Sequence, residues 1–254
     1  IGIIPARMGS ARFPGKAMAK ICGMPMIGHV YLRCKMSKAL NDVYVATCDK
    51  EIADYIRSIG GKAVMTANTH ERASDRAAEA ILHIEKMDGK KVDFTAMIQG
   101  DEPTILPEMI DDLIAPVKNN KNIVIVNLIE KIVGEEEFIS RNIVKVVLGL
   151  DSNILYMSRE AIPSRKIFKG DVPRLKQLGI ILFERELLLK YSKMKQTPLE
   201  IIESVDMNRL LENGIKIKAV VTDQITYSVD TMEDLVRAEA VLKKDVLAAE
   251  YLTK

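Results

Sequence analysis

Short apolar runs alternate with longer amphipathic stretches through the first half of the chain: IGII before PMIGHVYLRCKM, DVYVAT before KEIADYIRSI, KAVMT before SDRAAEAILHIEKM, DFTAMIQ before PEMIDDLIAPV, and then NIVIVNL. The runs are strand-like and the stretches between them carry helical spacing, which predicts strand–helix repeats and a mostly parallel sheet. In the third amphipathic stretch Ala77, Ile81 and Ile84 share one face, the face expected to lie on the sheet. From about Glu130 to Glu184 the order changes: FISRNIVKVVLGL, NILYMSREAIP and RLKQLGIILFE read as strands with few helical signals between them, so a mixed or antiparallel lobe is expected at about 130–184. Helices then return in ERELLLKYSKM, TPLEIIES and DMNRLLENG, followed by the strand IKIKAVV and one long last helix from about Met232. No repeat, low-complexity tract or linker divides the 254 residues. The expectation is one α/β domain over residues 1–254, a mostly parallel Rossmann-like sheet with an inserted β-rich lobe.

Composition narrows the class. Hydrophobic residues make up 48% and charged residues 28%, the balance of a globular enzyme rather than a disordered or fibrous chain. A formal charge of +2, with basic and acidic residues interleaved, argues against general nucleic-acid binding. Cys22, Cys34 and Cys48 lack zinc-ligand spacing, so reduced thiols in a cytoplasm are expected. No stretch approaches the ~20 apolar residues that span a bilayer, and the start does not resemble a signal peptide. The chain opens at Ile1 inside an apolar run without an initiator methionine, so a few residues of the first strand are expected upstream.

Chemistry is concentrated where strands end. Residues 3–16 read IIPARMGSARFPGK, an apolar strand running into a loop with the cations Arg7, Arg12 and Lys16 and the glycines Gly9 and Gly15. Glycines permit close approach and positive φ, successive N–H groups form an anion nest, and the cations neutralise charge: a loop suited to polyphosphate. It is not a P-loop, because five residues separate Gly9 from Gly15 and Ala17 stands where the magnesium-binding hydroxyl belongs. It is not a dinucleotide fingerprint either, since Gly-x-Gly-x-x-Gly is missing. In open parallel sheets ligands bind beyond the carboxyl ends of the strands, where Gln99-Gly100-Asp101-Glu102-Pro103, Ser158-Arg159 with Arg165, and Val229-Asp230-Thr231 would converge with the loop. Two distant aspartates beside polyphosphate suggest Mg²⁺, held by Asp101 and Asp230. The alternatives are a turn-forming Asp101 and a helix-capping Asp230. His29, His70 and His83 are scattered without ligand spacing, and no Ser-His-Asp triad can be assembled.

These residues coincide with a family pattern. IIPAR-x-x-S-x-R-x-PGK, GMPMIGHV, VATCDKEI, GGKAVMT, SDRAAEA, QGDEP, LYMSREAIPSR, LLENG and VDTMEDL, in this order over nearly the whole chain, resemble the CMP-Kdo synthetases, the 3-deoxy-manno-octulosonate cytidylyltransferases. The resemblance implies a nucleotide-diphospho-sugar transferase fold, with the β-rich lobe serving dimerisation. It further implies a Mg²⁺-dependent enzyme that joins CTP to an acidic sugar, giving a CMP-sugar and pyrophosphate for lipopolysaccharide or capsule assembly. Carried over residue by residue, Lys16, Arg12, Asp101 and Asp230 would be catalytic, with Arg7 helping to hold the triphosphate. Pro5, Ala6, Arg7, Gly9, Ser10, Thr66, Ser74, Arg76 and Gln99 would contact the nucleotide. Gln99, Arg159, Arg165, Gln177 and Asp206 would contact the acceptor, an arginine fork meeting its carboxylate.

The chain departs from the pattern at Lys176-Gln177-Leu178-Gly179-Ile180-Ile181, where the family usually has Lys-His-x-Gly-Ile-Tyr, and at Asp206-Met207-Asn208-Arg209 in place of Glu-Gln-Leu-Arg. Both changes fall where the family binds Kdo and argue for an altered acceptor. Arg72-Ala73-Ser74 replaces Ser-Gly-Thr, and Cys48 replaces an Asp. Arg72 is either a solvated loop arginine or, if it faces the site, a charge that would suit a more anionic acceptor, such as an altered octulosonate, another nonulosonate or a phosphonate. Two further readings stay open: a related nucleotidyltransferase of the spore-coat type, and a non-catalytic CTP-binding homologue.

Overall fold

The strand β1 (Gly2–Ala6) is buried along most of its length because Ile3 and Ile4 expose nothing to solvent. In the computed structural model, which describes residues 1–10, 13–168 and 170–252, the chain divides into two units, Ile1–Asp111 with Thr226–Lys254, and Asp112–Ile225. In the first unit β1 is followed by a 3₁₀ turn (Lys16–Met18) and a small hairpin, β2 (Lys20–Ile21) with β3 (Met24–Pro25). Then come α1 (Met26–Lys35), β4 (Val43–Thr47), α2 (Lys50–Ser58), β5 (Ala63–Met65), α3 (Ala73–Asp88), β6 (Phe94–Ile98) and α4 (Pro107–Asn119), within which the division falls. The strands run in the order β6-β1-β4-β5, all parallel, with Gly2 opposite Val43 and Ala96, and Val45 opposite Ala63. Parallel pairing puts the carboxyl ends of all four strands on one edge. Ala77, Ile81 and Ile84 are buried as the periodicity of α3 requires, and α3 packs on β1, β4 and β5.

In the second unit β7 (Ile125–Lys131) is followed by α5 (Glu135–Ile139), β8 (Lys145–Leu148), β9 (Ile154–Ser158), β10 (Leu175–Glu184), α6 (Arg185–Tyr191), α7 (Pro198–Glu203), α8 (Asn208–Glu212) and β11 (Lys218–Thr222). β7 pairs in parallel with β11 and antiparallel with β10, while β8 pairs antiparallel with both β9 and β10. The lobe expected at 130–184 falls inside this unit, which begins earlier and ends later. The register of β10 shifts between Gln177 and Ile181. A shift of this kind strands carbonyls, and fully buried Asn127 repairs it by donating through Nδ2 to the carbonyls of Leu178 (3.0 Å) and Ile180 (3.2 Å).

The single long last helix expected from Met232 is instead two helices, α9 (Met232–Leu242) and α10 (Val246–Leu252). Asp245 causes the break: its Oδ1 accepts from Leu247 N–H at 2.8 Å, capping α10, and its Oδ2 pairs with Arg33. Tyr251 on α10 accepts from Arg33 Nε (3.1 Å), which leaves its hydroxyl proton for His29 Nδ1 at 2.8 Å. His29 Nε2 then donates to the Ile21 carbonyl, and burial holds the ring below its ordinary pKa, so His29 is neutral.

One buried ion pair anchors the helices of the second unit. Arg209 meets Glu200 through two parallel bonds, Nε at 2.7 Å and Nη2 at 2.6 Å, with Glu200 fully buried and the guanidinium over the Tyr191 ring. Removing one partner strands the other charge in the interior. Glu200→Ala should lower stability by about 3–5 kcal/mol, measured as a fall in the urea midpoint; a change below measurement error would contradict this account of the pair.

Candidate active site

The loop after β1 is held from two sides at Met8. Its N–H donates to Asp49 Oδ2 at 2.7 Å, and its carbonyl accepts from Gly15 N–H at 2.8 Å. Gly15 has φ +74°, a left-handed turn that favours glycine, and it delivers Lys16 to the start of the 3₁₀ turn. Gly9 was expected to serve the same need, but its φ is not left-handed and a Cβ there would meet nothing within 4 Å among the described residues. Gly100 is a second glycine at the site with little room for a side chain: its Cβ would lie 3.1 Å from the Pro5 carbonyl and from Ile27 Cδ1. That close approach brings the loop after β6 against the end of β1. Ser10 Oγ accepts from Phe13 N–H at 3.4 Å, and Arg12 lies outside the described residues.

Lys16 joins two carboxylates from distant parts of the chain. Its Nζ donates to Asp101 Oδ2 at 2.6 Å, Asp230 Oδ1 at 2.9 Å and the Val229 carbonyl at 3.1 Å. The Val229 N–H donates in turn to the Asp101 carbonyl at 2.9 Å, fastening the segment before α9 to the loop after β6. The capping of α9 falls to Thr231, whose hydroxyl accepts from Asp234 N–H at 3.2 Å while Asp234 reaches back to the Thr231 N–H at 3.0 Å. Asp230 therefore does not cap, and its carboxylate faces Lys16. Burial pulls the Lys16 pKa down, but the two carboxylates outweigh it and hold the ammonium above its ordinary value. Two hard carboxylate oxygens beside a polar cavity form the kind of donor pair that Mg²⁺ takes together with phosphate oxygens and water. Among the described residues no group of three or more His, Cys, Asp and Glu could hold a metal. The fit is thus to an ion that a ligand completes.

These groups line a cavity of about 370 Å³ with Pro5, Ala6, Arg7, Gly9, Ser10 and Gln99. Its opposite wall follows β5 and comprises His70, Glu71, Arg72, Ala73 and Arg76. Arg76 is 3% exposed and donates to Thr66 Oγ1 at 2.5 Å. Thr66 and Ser74, expected at the nucleotide, do not line the cavity; the Thr66 hydroxyl positions Arg76, and Ser74 is fully buried on α3. Glu79 ties this wall to α3, accepting from Ala67 N–H at 3.0 Å and bonding His70 Nε2. Burial raises the Glu79 pKa, but the His70 and Ala67 bonds outweigh it, so the carboxyl sits below its ordinary value.

The expected acceptor residues belong to the second unit, apart from Gln99. Arg159 was expected to meet a carboxylate, but its guanidinium donates to the carbonyls of Glu203 (2.9 Å), Arg141 (3.0 Å), Asn142 (3.2 Å) and Ser204 (3.1 Å), which leaves little of the fork for a ligand. Arg165 pairs with Glu135 and stacks on Phe138 at 4.8 Å. Gln177 donates to Asn127 Oδ1 at 2.9 Å, and the Asp206 carbonyl accepts from Tyr191 at 2.9 Å. Sequence reasoning missed Asp49, Glu79 and the cavity-lining His70. A carboxylate directly after the strand VYVAT, at the binding edge of the sheet, was the available signal for Asp49; Glu79 gave none beyond its helix.

The model of the family described as Cytidylyltransferase matches residues 1–217. The chain is similar to a 3-deoxy-manno-octulosonate cytidylyltransferase of Geobacter metallireducens, 39% identical over 92% of this chain and 93% of that one. It is also similar to the protein of the same description from Thermodesulfovibrio yellowstonii, 42% identical over 95% and 97%. Among solved structures it resembles a CMP:2-keto-3-deoxy-manno-octonic acid synthetase complexed with CTP, with a TM-score of 0.87, 33% identity and coverage of 96% and 98%.

The lowered pKa of Glu79 gives a pH signature for the wall. A depressed carboxyl contributes its stability above the ordinary value of 4.5 and loses it as the pH falls through the lower, folded value. Glu79→Gln should therefore be less stable than the parent at pH 7, by about 1 kcal/mol, with the difference closing below pH 4.5. Thermal unfolding across a pH series measures this, and a gap that persists unchanged into acid would contradict it.

Proposed function

The chain belongs to the cytidylyltransferase family, and from that premise we propose that it couples CTP to a Kdo-type 2-keto-3-deoxy sugar acid, releasing pyrophosphate and a CMP-sugar. The observation that carries this reading is Lys16 bonded to both Asp101 and Asp230 on a cavity that also presents Arg7 and Arg76. In the reaction a hydroxyl oxygen of the acceptor forms a bond to the α-phosphorus of CTP as the bond to the β-phosphate oxygen breaks, and pyrophosphate leaves. Arg7, Arg12 and Lys16 hold the triphosphate and balance charge on the departing pyrophosphate, while positioning supplies much of the rate. Arg76 and the main chain of Pro5, Ala6, Gly9 and Ser10 contact the nucleotide, and Gln99 contacts acceptor hydroxyls.

Cytidylyltransferases of this family generally use a divalent metal, and Asp101 and Asp230 would hold Mg²⁺ here. When bound, such an ion supplies a Lewis acid at the α-phosphate and lowers the pKa of the attacking hydroxyl. Members of the resembled family pair as dimers, so a homodimer is the proposed assembly. No helix among the described residues is long and apolar enough to cross a membrane. Arg72 on the cavity wall favours a second reading of the acceptor, as an acidic sugar with an additional anionic group.

Pyrophosphate release in the presence of Mg²⁺, compared for CTP, UTP, GTP and ATP across Kdo, nonulosonates and phosphonates, tests the reaction. CTP with a keto-deoxy acid should give the highest kcat/KM, and no turnover with any pair would refute catalysis. Asp230→Asn should lower kcat by roughly 10²-fold or more while leaving metal-free CTP binding largely intact; full activity would exclude the role assigned to Asp230.

A further inference from the structure

The Lys16 ammonium bonds both of the carboxylates proposed to hold the metal. It has three N–H donors, and they account for Asp101 Oδ2 at 2.6 Å, Asp230 Oδ1 at 2.9 Å and the Val229 carbonyl at 3.1 Å. Both carboxylates are among the oxygens that the proposed metal would use, and the side chains of Lys16, Asp101 and Asp230 are 16%, 20% and 36% exposed. A second cation that takes the same carboxylate oxygens meets the ammonium at contact distance, where like charges repel even with partial solvent screening.

We propose that Lys16 occupies the carboxylate pair in place of the metal and leaves it when the triphosphate enters, so that metal is admitted together with the nucleotide rather than ahead of it. The proposal rests on the reading of Asp101 and Asp230 as the metal-holding pair. The Lys16 side chain can make the move without a change of fold. It is long and flexible, it stands at the start of a three-residue turn, and its backbone is fixed by the neighbouring Gly15–Met8 bond. Phosphate oxygens offer the ammonium replacement acceptors in the same cavity. Its three donors therefore stay satisfied while the carboxylates are handed to the ion. The outcome is positive coupling: metal and triphosphate each favour the other because both oppose the resting position of one side chain.

The test is Mn²⁺ binding to the nucleotide-free chain, read by electron paramagnetic resonance of the free ion, in the parent, Lys16→Met, Asp230→Asn and the Lys16→Met/Asp230→Asn double variant. The dissociation constant should be roughly tenfold or more lower in Lys16→Met than in the parent, and the gain should vanish in the double variant. An unchanged or higher constant in Lys16→Met, with Asp230→Asn still weakening binding, overturns the exchange and leaves the metal reading standing. Binding indifferent to Asp230→Asn overturns both. A measurement on the unaltered chain covers the case in which Lys16→Met does not fold. Reductive methylation of Lys16 Nζ, quantified by mass spectrometry, should rise as Mn²⁺ is added without nucleotide; a yield that stays flat at saturating Mn²⁺ overturns the proposal.

Discussion

Charge balance at one lysine organises the first unit. Two aspartates contributed by the loop after β6 and by the segment before α9 could not share a sheltered site without a cation between them, and Lys16 supplies it. Each member is placed by a backbone device that leaves its side chain to this task. The left-handed turn at Gly15 sets Lys16, the close approach of Gly100 to Pro5 sets Asp101, and the Thr231–Asp234 capping box sets Asp230. The Val229–Asp101 main-chain bond then locks the two acidic segments together. A cation bonded to two carboxylates from remote segments sets this edge of the sheet apart from a basic surface patch.

The cavity walls follow a second rule. Each cationic wall is fastened by an acidic side chain bonded to the main chain of the adjoining segment. Asp49 holds Met8 of the Arg7-bearing loop, and Glu79 holds Ala67 of the segment leading to Arg72 and Arg76. These carboxylates bond backbone N–H groups and so organise the loops that carry the cations.

The alternation of apolar runs with amphipathic stretches made the parallel sheet legible, because strand and helix periods differ and neither Pro nor Gly interrupts β4 or β6. Lys16, Asp101 and Asp230 were legible as well, since each follows a strand or precedes a helix where parallel sheets place ligands. The contacts that support them were not. Met8 with Asp49, and Asn127 with the shifted register of β10, depend on pairings between remote residues that leave no local periodicity. The break between α9 and α10 also escaped, because apolar spacing continues through it and the determinant, Asp245, looks like any helix-surface acid until Arg33 is placed beside it. Arg159 misled for the opposite reason: a fork suited to a carboxylate is equally suited to several carbonyls.

The first unit is discontinuous in sequence, and this has a consequence for its biosynthesis. Val229, Asp230 and the α10 residue Tyr251 leave the ribosome only after the whole of the second unit has been made. Until then Lys16 has one of its two carboxylate partners, and Arg33 and His29 wait in an open interior for Tyr251 and Asp245. The second unit is free to collapse first, as independently emerging segments do. The lysine cluster is thus completed only with the final segment, and a chain halted partway through translation carries the loop after β1 without Asp230.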